Sequence, residues 1–173
     1  IGIDLDTDEL AFFPVIYWPI DAASAMPSAS AIARADAYMR QGGTILFDTR
    51  DQDIAAFDLG GGGSAANERL RAILDGMNVP PLEPVPAEHV LTKAFYILAE
   101  FPGRYRGGEL WVEASAAAES DADRPVRTGD GVSPIIVGSA DWAAAWAQDD
   151  FGRSLAAVAP GGNQQREYAM RFG

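Results

Sequence analysis

The chain predicts an α/β fold built on a mostly parallel sheet, and three observations carry that expectation. Residues 11–18 and 44–47 are apolar, β-rich runs separated by a stretch of helical periodicity, which is the strand–helix–strand order of a right-handed parallel crossover. Residues 132–138 form a third run of the same kind. The second and third runs break off into polar residues, Asp48-Thr49-Arg50-Asp51 and Ser139-Ala140-Asp141, and the C-terminal ends of parallel strands are where ligands collect.

Composition narrows the class. A chain of 173 residues with 48% apolar and 22% charged residues suits one domain, residues 1–173, with a core of its own. Thirteen Lys and Arg against 25 Asp and Glu leave a net charge of −12, which repels phosphate backbones. The basic residues come as short pairs such as Arg104 and Arg106, so no nucleic-acid partner is expected. The absence of cysteine removes disulfides, thiolate nucleophiles and cysteine metal sites together. No segment approaches the roughly 18 consecutive apolar residues of a membrane span, so this segment is expected to be soluble, with no direct membrane insertion. Ile1 opens the chain without methionine and a helical pattern runs to its last residues, so a fragment of a longer protein, cut at both ends, is expected.

The elements follow in order. Asp4, Asp6, Asp8 and Glu9 read as a solvated acidic turn, since an EF-hand loop starting at Asp4 needs glycine where Glu9 stands and glutamate where Val15 stands. Residues 11–19 suit a strand buried on both faces, with Pro19 ending its pairing. Pro27 with Ser28 or Ser30 starts a helix to about Gln41, in which Ile32, Ala35 and Met39 recur at helical spacing, and Gly42-Gly43 stops it. Residues 44–47 are the next strand, expected at the centre of the sheet. Residues 52–64 form a loop ending in four glycines and Ser64, read as a flexible lid over the Asp48 tip. It lacks the lysine of a phosphate-binding P-loop, so no cofactor is expected. A helix then carries Leu70, Ile73, Leu74 and Met77.

Four prolines between residues 80 and 86 predict an extended connector that delivers His89, the single histidine. Residues 90–98 admit a strand or a short helix in their later half, residues 103–108 a turn, and residues 109–113 a half-exposed edge strand. An acidic, alanine-rich loop over 114–130 precedes the strand at 132–138, and Trp142 to Trp146 open a helix. Residues 164–172 start a final one.

The candidate site is the strand tip. Asp48, Arg50 and Asp51 set two carboxylates around a guanidinium, which can neutralise itself as a structural ion-pair cluster, bind a polar ligand, or act as acid and base. With Thr49, Trp18, Asp141 and Trp142 they form the expected ligand-binding set. The tryptophans read first as core and become a sugar or aromatic platform only if Trp18 and Trp142 share an exposed cleft. No metal site is expected. Asp48, Asp51 and His89 are the candidates for catalysis, but a lone histidine after such a connector reads first as a cap or surface residue. No Gly-x-Ser-x-Gly elbow is present, and Thr49 as nucleophile would need His89 brought to it.

Four blocks, Phe12-Phe13-Pro14-Val15-Ile16-Tyr17-Trp18-Pro19, the stretch from Gly42 to Asp51, Phe101-Pro102-Gly103-Arg104-Tyr105 and Asp141-Trp142-Ala143-Ala144-Ala145-Trp146, together resemble a bacterial domain of unknown function, number 4159. The resemblance spans most of the chain. It implies a three-layer α/β/α sandwich, flavodoxin-like and similar to class I glutamine amidotransferases, within a larger membrane-associated bacterial protein. As a soluble domain of an inner-membrane protein, its side of the membrane stays open. The amidotransferase nucleophile is a cysteine at the tip matching Asp48-Thr49-Arg50, and the chain has none, so cysteine-dependent glutaminase chemistry is excluded.

The expected function is therefore a non-catalytic module that binds a small molecule, a protein partner or other segments of its parent. The alternative is a hydrolase using Asp48 or Asp51 with His89.

Overall fold

The computed structural model describes residues 1–52, 64–93, 100–114 and 133–173. The glycines at 60–63, residues 94–98 and the acidic loop from 115 onward lie outside the described residues. Among the described residues, five strands form one open sheet in the order β1-β2-β5-β4-β3. They are β1 (Val15–Pro19), β2 (Thr44–Asp48), β3 (Leu82–Pro84), β4 (Trp111–Glu113) and β5 (Ile135–Gly138). Strands β1, β2 and β5 run parallel, whereas β4 and β3 are antiparallel to their neighbours. Among the described residues the α-helices are α1 (Ala29–Arg40), α2 (Ala65–Leu74), α3 (Val90–Lys93), α4 (Trp142–Trp146) and α5 (Gly162–Phe172).

Period-two alternation sorts the strand residues onto two faces. Ile16, Ile45, Phe47, Ile135 and Val137 join one apolar cluster with Ala35 and Met39 of α1 and Leu70 and Ile73 of α2. Leu46, Ile136 and Val112 join a second with Trp142 of α4, against which Phe172 of α5 packs. Ser28 caps α1 by accepting from Ala31 N at 2.9 Å, and Ser64 caps α2 by accepting from Asn67 N at 3.2 Å. The turn from α1 into β2 passes under the Tyr38 ring. A Cβ on Gly43 would lie 2.1 Å from that ring, and the Tyr38 hydroxyl donates to Phe13 O at 2.7 Å.

Four elements differ from their sequence reading. Residues 11–13 do not extend the first strand: Leu10–Phe12 makes a 3-10 turn capped by Glu9, and Phe12 is 81% exposed. Strand β1 lies at the sheet edge and buries only Ile16, so aromatic content is a poor guide to two-sided burial. Pairing also continues past Pro19, with Ile20 N donating to Asp48 O at 2.8 Å. Successive strand amides point to opposite sides, so Pro19 sits where its missing N–H faces the outer edge. The proline-rich connector supplies β3, with Glu83 opposite Val112, and this covers β4, expected to be an edge strand. Val112 is consequently fully buried. Strand β2 is the middle of the parallel triplet, while β5 is the middle of the whole sheet.

Candidate functional site at the parallel strand tips

The register aligns Pro19, Asp48 and Gly138, so three strands end together. Alternation turns Asp48 away from α1 and α2, where it is 0% exposed. Its Oδ1 accepts from Arg50 N at 3.0 Å and Asp141 N at 3.3 Å. Its Oδ2 accepts from the Tyr17 hydroxyl at 2.8 Å and Trp142 N at 2.9 Å. Arg50 and Asp141 are the two positive-φ non-glycine residues among the described residues, at φ 57 and 54. The left-handed region costs a side-chain-bearing residue about 1–2 kcal/mol. One carboxylate oxygen thus anchors both strained amides, and the other ties β1 to the start of α4.

Burial pushes the Asp48 carboxyl up to about 6, against the opposing pull of Trp142 N–H, the Tyr17 hydroxyl and the amides of Arg50 and Asp141. Burial and the Asp48 charge raise the Tyr17 phenol, which stays protonated as a donor. The ordinary aspartate value is 3.8, so between about pH 4 and 6 the native state holds a proton that the unfolded chain has lost. Stability therefore falls as pH rises through that window and levels off above it, by about 3 kcal/mol. Urea midpoints of wild type minus those of Asp48→Asn across pH 4 to 7 isolate this slope. A difference that stays flat across the window would show that Asp48 titrates like an exposed aspartate.

Thr49 and Asp51 face the α2 side and are buried. The Thr49 hydroxyl lies 2.5 Å from Asp51 Oδ1, and the Ser64 hydroxyl donates to Asp51 Oδ2 while accepting from Asn67 N. Asp51 therefore stands behind the capped, positive end of α2. Arg50 is exposed, and its guanidinium donates to Ile20 O at 3.3 Å. No ion pair joins it to Asp48 or Asp51, so the self-neutralising cluster is not formed. Its left-handed backbone sends the side chain outward while its amide alone serves Asp48.

Of the remaining candidates, Asp141 and Trp142 reach Asp48 through their backbone amides alone. Asp141 pairs with Arg104 at 3.4 Å, and Arg104 N donates to Asp141 O. The 103–106 loop is clamped by Gln165, whose amide donates to Gly103 O, Arg104 O and Ala159 O. Trp142 is buried against Phe172, whereas Trp18 packs on Phe47 in the cluster across the sheet. The two rings therefore share no cleft. His89 caps α3 by accepting from Leu91 N at Nδ1, and burial lowers its pKa. It follows β3, which stands three strand spacings, roughly 14 Å, from β2.

Sequence reading passed over Tyr17, Ser64, Asn67 and Ser139 as site residues. Asn67 carries a readable signal, because it is a polar residue in phase with Leu70 and Ile73 on the buried stripe of α2. Tyr17 and Ser139 needed the register. The acidic turn at residues 4–9 closes on itself through Asp4 and Asp8. Among the described residues no three acidic or histidine side chains gather as a metal site, and no helix is long and apolar enough to cross a membrane.

A family model described as Domain of unknown function (DUF4159) matches residues 1–173. No curated protein matches the chain.

Proposed function

The chain belongs to the DUF4159 family, and from that premise we propose that it is a non-catalytic binding module whose ligand docks at the C-terminal edge of β1, β2 and β5. One observation carries this reading. Asp48, the tip carboxylate with a raised pKa, is fully buried with both oxygens occupied by four donors, and is thereby spent on backbone structure rather than held free as a base. What the edge offers a partner is the exposed Arg50 guanidinium, with Thr49 and Asp51 buried behind it.

The wider reading, resting on the sequence resemblance, takes the fold as the flavodoxin-like, amidotransferase-like three-layer sandwich and the parent as a membrane-associated bacterial protein. The parallel β1-β2-β5 triplet, with helices contributing to an apolar cluster on each face, supports the former. The binding partner is then a small molecule or another segment of that parent.

The test is a panel of esters, amides, phosphoesters and glycosides assayed with wild type and with Asp51→Asn. No turnover separating the two is expected. In parallel, added parent segments should raise the melting temperature of wild type more than that of Arg50→Ala. Turnover by wild type that disappears in Asp51→Asn would make the domain an enzyme.

A further inference from the structure

We propose that the buried polar side chains at the start of α2 and the tips of β2 and β5, Asn67, Ser139 and Asp51, form a subsite for a neutral, hydroxyl-rich small molecule, a polyol or sugar. This rests on the binding-module reading and names the ligand class of that edge.

The geometry comes from three independent strings of contacts. Asn67, Leu70 and Ile73 are the buried residues of α2, and the last two pack on the cluster containing Phe47 and Val137. Asn67 therefore faces the sheet one turn nearer the tips. On β5, a Cβ at Gly138 would point at Trp142 on the opposite face, and Ala140 joins the cluster on that opposite face. Ser139 between them consequently points to the α2 side. Thr49 and Asp51 reach the same side, linked to α2 through Ser64 and to β5 through Thr49 N on Gly138 O at 2.9 Å and Gln52 N on Ser139 O at 3.3 Å.

Asn67 and Ser139 are each 1% exposed. Both side-chain amide atoms of Asn67 and the Ser139 hydroxyl have no hydrogen-bond partner. A buried polar group without a partner is destabilising, so three such atoms on one face of the same edge are a penalty for the domain to carry without use. Leucine in place of Asn67 would complete the apolar stripe at no such cost. A buried polar group kept against stability is what a binding site requires.

Charge selects the ligand class. The Asp51 carboxylate and the net charge of −12 disfavour an anion. The positive end of α2 disfavours a cation. The Thr49 and Ser64 hydroxyls already direct their hydrogens to Asp51. What remains is a donor pair on the Asn67 amide nitrogen, a hydroxyl on Ser139, and spare acceptor lone pairs on Asn67 Oδ1 and Asp51. Groups that each donate and accept, as hydroxyls do, match that set.

The test is titration of wild type and Asn67→Leu with glycerol, meso-erythritol and myo-inositol, followed by melting temperature and by the Asn67 side-chain amide resonance in NMR. Sodium phosphate serves as the charged comparator. At least one polyol is expected to shift the Asn67 resonance and raise the wild-type melting temperature saturably. Asn67→Leu should melt at or above wild type and bind that polyol at least about tenfold more weakly. Ser139→Ala should weaken binding in the same direction, which keeps the test valid if the leucine variant misfolds. A rise in melting temperature equal in wild type and variants is preferential exclusion only and overturns the subsite. So does the failure of every polyol to move the Asn67 resonance. Phosphate binding that is indifferent to Asn67→Leu would overturn the subsite and leave the binding-module reading standing, whereas turnover lost in Asp51→Asn would overturn that reading itself.

Discussion

Replacing Asp48 by alanine is expected to destabilise the domain by about 4 kcal/mol, a large share of the 5–15 kcal/mol that holds a typical domain together. The substitution leaves three backbone amides and the Tyr17 hydroxyl without the acceptor they share. Two of those amides belong to Arg50 and Asp141, whose left-handed backbones then lose the contact that holds them. Relief of the buried charge offsets part of the loss, which is why the expected figure stays below the sum of four broken bonds. Urea unfolding at pH 7 measures it, and a melting temperature lower by about 10 °C should accompany it. Asp48→Asn should fall between alanine and wild type, since its oxygen can still serve Arg50 N and Asp141 N while its amide faces the Trp142 N–H. An alanine variant within about 1 kcal/mol of wild type would mean that the four donors find water instead.

Gly138→Ala is expected to cost about 3 kcal/mol, with loss of the near-ultraviolet circular dichroism of a fixed tryptophan. The new methyl would lie 2.2 Å from Trp142 Cη2, 2.8 Å from Cζ3 and 3.2 Å from Leu110 Cδ1. Trp142 cannot retreat, because its ring is buried against Phe172 at 5.4 Å between centroids. A shift of α4 would also pull Trp142 N off Asp48, so the damage reaches the strand tips. Combining Gly138→Ala with Trp142→Phe should recover part of the loss, as expected for residues in direct contact. Gly2→Ala, with nothing within 4 Å of the added atom, is the neutral comparison. Equal melting temperatures for Gly138→Ala and wild type would show that the tryptophan can repack.

Much of the architecture was legible in the residues. Apolar β-rich runs at 11–19, 44–47 and 132–138, with a helix starting at Ser28 or Ser30 between the first two, predicted a mostly parallel sheet, and β1, β2 and β5 form its parallel part. Capping and periodicity are local, so the chain declares them locally. The antiparallel half was misread because strand neighbours are not local. Nothing in residues 109–113 says that a proline-rich segment will pair beside them and bury Val112. The tip at Asp48-Thr49-Arg50-Asp51 was likewise visible as an apolar run ending in charge, yet its chemistry was not.

By itself, the sequence determined an α/β fold whose strand tips carry polar groups, in a chain with no cysteine and a net charge of −12. Only the tertiary structure decided what those polar groups face. Adjacent residues on a strand point to opposite sides, so Asp48 turns toward Tyr17 and Trp142 while Thr49 and Asp51 turn toward α2. Four consecutive polar residues thus became a buried structural carboxylate, an exposed guanidinium and a buried Thr49–Asp51 pair tied to the cap of α2. The role of Asp48 depended on partners 31 to 94 positions away in the chain, and those are set by strand register rather than by any neighbour in sequence.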